Sequence, residues 1–234
     1  MNKDFNAILF DLDDTLIETH SIFTRQLTKV KQLVADYSKD KYETISTLLD
    51  EAFVANYQIA KINPHRYWPM NIGVLQKKYS LPQSIVNKCT EIFFTVYKTV
   101  PRVREGSFEL LDRCNGEGIK IGLVSHAFRR WINFKLKVTG LDKYFTHIED
   151  VTPNKFKSGK DWLKAIKHMG LDIDKTYVIG DNIKGDIIST YEVGFRKLIW
   201  VNREDGWKVY RTGELPEGTV SVNSLTEVTN LLFP

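Results

Sequence analysis

The chain has 234 residues, of which 42% are hydrophobic and 26% charged, with a formal net charge of +4; that is the balance of an ordinary folded protein long enough to bury a substantial core. No apolar run approaches the roughly 18–20 residues that span a bilayer, and Asp4 stands where a secretory leader needs apolar residues, so no membrane association and a cytoplasmic location are expected. Basic residues are spread along the chain rather than clustered, which argues against a nucleic-acid partner and leaves small anionic substrates, with the protein acting as a monomer or homodimer.

The first predicted element is the apolar strand "NAILFD", ending at Asp11. From about Glu18 to Val100 no convincing strand follows. Apolar residues there fall at helical spacing instead: Ile22, Phe23, Leu27, Val30 and Val34, then Ile45, Leu48, Leu49 and Phe53, then Ile85, Cys89, Ile92, Phe93 and Val96. The breakers "INPHRYWPM" and "YSLPQS" divide this insert into about four helices, with Pro82 suited to a first helical turn. Strands resume at "IKIGLVS", "HIEDV", "KTYVIGD" and "RKLIWVN", separated by helical patterns, and this alternation predicts an α/β fold with a parallel sheet covered by helices on both faces. Residues 202–219 are expected to form a surface loop before a last strand "VSVN" and a helix. The division expected is a core of residues 1–16 and 101–234 with a helical insert of residues 17–100. Cys89 and Cys114 are too few for a disulfide framework and read as small buried residues.

Two of the strands end in acid. Asp11, Asp13 and Asp14 close the first; Asp181 closes "KTYVIGD", with Asp186 five residues on, past Gly185. Carboxylates at the carboxyl ends of parallel strands lie where open α/β sheets bind ligands, and crowded carboxylates are costly to desolvate without a cation. Mg²⁺ suits such a site. Asp13, Asp14 and Thr15 could equally cap a following helix. A third strand ends in Ser125, whose hydroxyl could hold a phosphate oxygen, and the next loop offers Lys155, Lys157 and Lys160.

"DLDDT" at residues 11–15, Ser125 after its strand, a lysine in the next loop and "GDNIKGD" at residues 180–186 resemble, in order, the four motifs of the haloacid dehalogenase superfamily. The likeness is greatest to its phosphatase branch with a helical cap inserted after the first motif, and it covers nearly the whole chain. Two departures stand out: His126 follows Ser125 where a small polar residue is usual, and the lysine loop lacks the usual Lys-Pro. The resemblance implies a Rossmann-like core and hydrolysis of a small phosphorylated metabolite through an aspartyl phosphate. Asp11 would be the nucleophile and Asp13 the general acid and base; Ser125 and a lysine, placed at Lys157 by its position next to a predicted helix start at Ser158, would bind phosphoryl oxygens. Mg²⁺ would be held by Asp11, the backbone carbonyl of Asp13 and Asp181, with Asp186 in support. Thr15, Ser125, His126 and, from the insert, Arg66 would contact substrate, while Tyr67 and Trp68 are expected in the insert's own core. A 2-haloacid dehalogenase and a sugar phosphomutase share these features in part, though Asp13 disfavours the dehalogenase; a noncatalytic metal- or partner-binding protein is the reading from another class.

Overall fold

A computed structural model describes residues 4–234; of the expected segment 1–16, Met1–Lys3 fall outside the described residues. The chain divides into two compact units, one comprising the residues up to His20, 100–151 and 157–234, the other residues 21–99 and 152–156. The grouping of 152–156 with the helices has no counterpart in the sequence pattern.

The described residues of the first unit form eight strands: β1 (Ala7–Phe10), β2 (Ile17–Glu18), β3 (Arg102–Val103), β4 (Lys120–Ser125), β5 (His147–Asp150), β6 (Thr176–Gly180), β7 (Lys197–Val201) and β8 (Val220–Val222). Six form one parallel sheet in the order β5-β4-β1-β6-β7-β8. From β1 the sheet grows outward through β4 and β5, then returns to add β6, β7 and β8 on the other side, so β1 stands at the switch in strand order where such sheets open a crevice. β2 and β3 pair antiparallel as a separate two-residue ladder. They are too short for an alternating pattern to show in sequence.

Helices α1 (His20–Ser38), α2 (Tyr42–Ala60), α3 (Pro64–Tyr79) and α4 (Gln83–Thr95) precede the second half of the core, followed by α5 (Ser107–Gly116), α6 (Arg129–Thr139), α7 (Gly159–Met169), α8 (Ser189–Glu192) and α9 (Leu225–Leu232). Residues alternate between the two faces of the sheet. Ile8, Phe10, Ile121, Leu123, Ile179 and Ile199 pack with α5, α6 and α9; Leu9, Val124, Val178, Leu198 and Trp200 pack with α7 and the segment leading into α8. Burial on both faces explains why β1, β4, β6 and β7 read as apolar runs, whereas the edge strands β5 and β8 are only partly buried. Residues 202–219 form an irregular connection with one short turn at Lys208–Arg211.

The helical unit has its own core, in which the rings of Trp68 and Phe93 stack at 4.5 Å. The Tyr67 hydroxyl donates to the Phe53 carbonyl at 2.9 Å. "INPHRYWPM" opens on the boundary between α2 and α3, as expected, but its second proline ends no helix. Asn63 caps α3 by accepting from the His65 amide, Pro64 takes the first helical position where its missing N–H costs nothing, and Pro69 is carried inside the helix. "YSLPQS" does mark a boundary, with Pro82 immediately before α4. Residues 152–156 join this unit through Phe156, which lies 5.1 Å from the Tyr57 ring and under the Lys61 ammonium at 4.4 Å. Cys89 and Cys114 are both buried, and neither is in a disulfide. Among the described residues, no helix is long and apolar enough to cross a membrane.

Candidate active site

Beyond Phe10 the chain leaves β1 and turns tightly: Leu16 N–H donates to the Leu12 carbonyl, and Asp14 N–H to that of Ile17. Asp14 occupies the left-handed region at φ 63°, unusual for a residue with a side chain and most tolerable for Asp or Asn. This turn separates the roles of the three acids. The Asp14 carboxylate accepts from the amides of Thr19 and His20 at 2.9 and 2.8 Å, capping the start of α1, and faces the Arg104 guanidinium at 3.6 Å. The helix cap thus belongs to Asp14. Thr15 instead donates its hydroxyl to Asp11 Oδ2 at 3.3 Å. Asp13 is half-exposed and its carboxylate pairs with Lys135 of α6.

Asp11, at the end of β1, and Asp186, from the wide turn Ile183–Ile188 after β6, both pair with the Lys157 ammonium, the latter at 2.6 Å. Lys157 sits next to the N-terminus of α7, where Ser158 and Asp161 form a capping box. Its ammonium also donates to the Val124 carbonyl at 3.3 Å and lies 5.1 Å from the centre of the Trp162 ring. Lys155 and Lys160 are exposed. Asp181 is held from the other side: Trp200 Nε1 donates to its carbonyl at 2.8 Å. Ser125 is wholly buried at the end of β4, and its hydroxyl makes no hydrogen bond, so a polar group of the kind normally paired in a protein interior is left unsatisfied. His126, the next residue, is half-buried, and Arg66 is exposed in the first turn of α3 in the helical unit.

Carboxylate oxygens of Asp11, Asp181 and Asp186 all lie within 4.8 Å of one another. Burial raises the pKa of Asp11 to about 7, reinforced by Asp186 and Asp13 and opposed by Lys157. Burial likewise holds Asp181 well above the usual carboxylate range, with the Asp11 and Asp186 charges adding to it. For Lys157, burial acts to lower the pKa, but Asp11 and Asp186 outweigh it and raise the pKa, keeping the ammonium charged. Three carboxylates around one ammonium leave an excess of buried negative charge, and an all-oxygen donor set of this kind fits a hard divalent cation. Asp13 contributes no carboxylate to this group. Four further contributors went unread in the sequence: Lys135, Arg104, Trp162 and Trp200. Nothing in the local pattern marks Lys135, Arg104 or Trp200, because their partners lie at least 19 residues away in the chain.

A family model described as a haloacid dehalogenase-like hydrolase matches residues 5–190. The chain is similar to the pyrophosphatase PpaX of Halalkalibacterium halodurans, 25% identical over 205 residues that cover 84% of this chain and 83% of that one. It is similar also to the pyrophosphatase PpaX of Bacillus velezensis, 26% identical over 188 residues covering 77% and 76%. Among solved structures, a haloacid dehalogenase-like family hydrolase from Xanthomonas campestris superposes with a TM-score of 0.76 at 14% identity, over 99% of this chain and 93% of that one, a likeness of fold alone.

Proposed function

The chain belongs to the haloacid dehalogenase-like hydrolases, and from that membership we propose that it is a Mg²⁺-dependent phosphatase acting on a small phosphorylated metabolite through a phosphoryl group carried on Asp11. The observation that carries the reading is the joining of Asp11 and Asp186 by one buried ammonium, Lys157, at the switch in strand order, with Asp181 alongside. In this reading Asp11 attacks phosphorus with one carboxylate oxygen, and Thr15 orients the other by its hydrogen bond. Lys157 and the unpaired Ser125 hydroxyl receive the phosphoryl oxygens and offset their charge as the transition state forms. Asp13 gives a proton to the leaving oxygen and then withdraws one from water, its position fixed by Lys135. Asp11, Asp181 and the backbone carbonyl of Asp13 would hold Mg²⁺, with Asp186 in support, and the ion would supply positive charge to offset that of the phosphoryl oxygens. His126 and Arg66 are the proposed contacts with the rest of the substrate.

The pyrophosphatase names of the two relatives support adding inorganic pyrophosphate to the substrates tried. Purified protein assayed on phosphate monoesters and pyrophosphate is expected to release phosphate only with Mg²⁺ present, and Asp11→Asn to abolish release. Full activity in chelator, or in Asp11→Asn, rejects the reading.

A further inference from the structure

His147 and Glu149 alternate along β5, so their side chains leave the same face of this edge strand. His168 meets them from the last turn of α7. His147 Nε2 lies 3.5 Å and His168 Nδ1 3.4 Å from one and the same oxygen, Glu149 Oε2, and the two imidazole centroids are 5.0 Å apart. Both distances are longer than an ordinary N–H···O hydrogen bond. They match the edge of a coordination tetrahedron: bonds of about 2.0–2.1 Å to a common ion set neighbouring ligand atoms about 3.3–3.4 Å apart. His147 Nε2 is moreover shielded from solvent and makes no hydrogen bond. The other carboxylate oxygen, Oε1, faces Lys164 at 3.8 Å, so an outer partner orients the carboxylate and leaves Oε2 to the two imidazoles, as is usual around bound metals.

We infer that His147 Nε2, Glu149 Oε2 and His168 Nδ1 form a Zn²⁺ site, with a fourth position for water on the side where His168 is exposed. Two imidazoles and one carboxylate favour Zn²⁺ over Mg²⁺, whereas the all-carboxylate group at Asp11 favours the harder ion. The Lys164 charge opposes any cation, but this side chain is largely exposed and free to turn away. Bound metal would clip β5 to the end of α7, the two elements that bracket the segment carrying Lys157, and so act on stability rather than on the reaction.

The test uses the full chain stripped of metal, carrying Asp181→Asn to disable the carboxylate group, and is repeated on the unaltered chain in excess Mg²⁺ so that it stands even if that variant does not fold. Equilibrium dialysis is expected to show one equivalent of Zn²⁺ retained in both, with a Tm that rises on Zn²⁺ addition; Co²⁺ in its place should give the intense visible bands of a tetrahedral ion. His147→Ala and His168→Ala should each lose the equivalent, the bands and the Tm response while keeping the parent far-UV circular dichroism. The proposal is overturned by a parent that retains no Zn²⁺, by stoichiometry and Tm response that survive both substitutions, or by a Co²⁺ spectrum of octahedral type.

Discussion

Gly180 leaves room for Asp186: a Cβ built on Gly180 would lie 2.6 Å from the Asp186 Cβ and closer still to its carboxylate. The Asp186 carboxylate can therefore fold back against the end of β6, where Oδ2 accepts from the Asn182 amide at 3.0 Å while Oδ1 meets Lys157. The close approach that glycine permits here serves a side chain of the same loop.

Gly180→Ala is accordingly expected to displace Asp186 and with it the Lys157 ammonium. Phosphatase kcat/KM should fall on the order of tenfold or more, with a lowered Tm because a buried contact has been overfilled. Gly185→Ala is the control, since the atoms nearest a Cβ there belong to the Asn182 side chain, at 3.1 Å or more, well short of the overlap at Gly180. Equal kinetics for parent and Gly180→Ala would mean that Asp186 has no part in positioning Lys157.

The three loop lysines give a second prediction. Only Lys157 is buried and paired with Asp11, whereas Lys155 and Lys160 are exposed. Lys157→Ala should lower kcat/KM by roughly a hundredfold or more, the loss expected for one preorganised charge facing the transferring group, and Lys155→Ala and Lys160→Ala should change it little. Steady-state kinetics of the three variants decide the matter: a large loss confined to position 155 or 160 transfers the role there.

Asp205 gives a prediction about acid. Hydrogen bonds from the Arg203 guanidinium at 2.9 and 3.2 Å, with Arg104 3.5 Å away, lower its pKa to about 2. A carboxylate whose folded pKa lies below its unfolded value of about 3.9 stabilises the fold above that value and loses the contribution as pH falls towards the folded pKa. Asp205→Asn should therefore lower Tm slightly at pH 6, by little because Asp205 is largely exposed, and the gap should narrow between roughly pH 4 and 2. A gap that stays constant over this range assigns the difference to packing instead of charge.

The central strands β1, β4, β6 and β7 were legible because burial on both faces left them as apolar runs between turns, and the strand-end carboxylates were legible because acids are conspicuous after such runs. Counting back from α7 lands on Phe156, between two lysines, and Lys157 is favoured only by lying next to the helix start at Ser158, a local signal. What escaped was set by tertiary packing. The β2–β3 ladder has two residues per strand, and Pro69 reads as a breaker although it lies inside α3, whose Trp68 stacks on Phe93. "DLDDT" alone cannot divide labour among its acids. Asp14 becomes the cap of α1 because the turn at residues 12–17 aims it at the amides of Thr19 and His20, and Asp13 finds Lys135 only once α6 has packed on the sheet.

The central claim is that Asp11 itself carries the phosphoryl group. Asp13→Asn should allow Asp11 to accept it from an activated ester or anhydride but slow its release, since water activation needs the carboxylate. Mixing this variant with Mg²⁺ and substrate, quenching in acid and sequencing the peptides by mass spectrometry is expected to place one phosphoryl group on Asp11. Turnover by the parent enzyme together with an unmodified Asp11 in the quenched variant, or a phosphoryl group on any other residue, would contradict it.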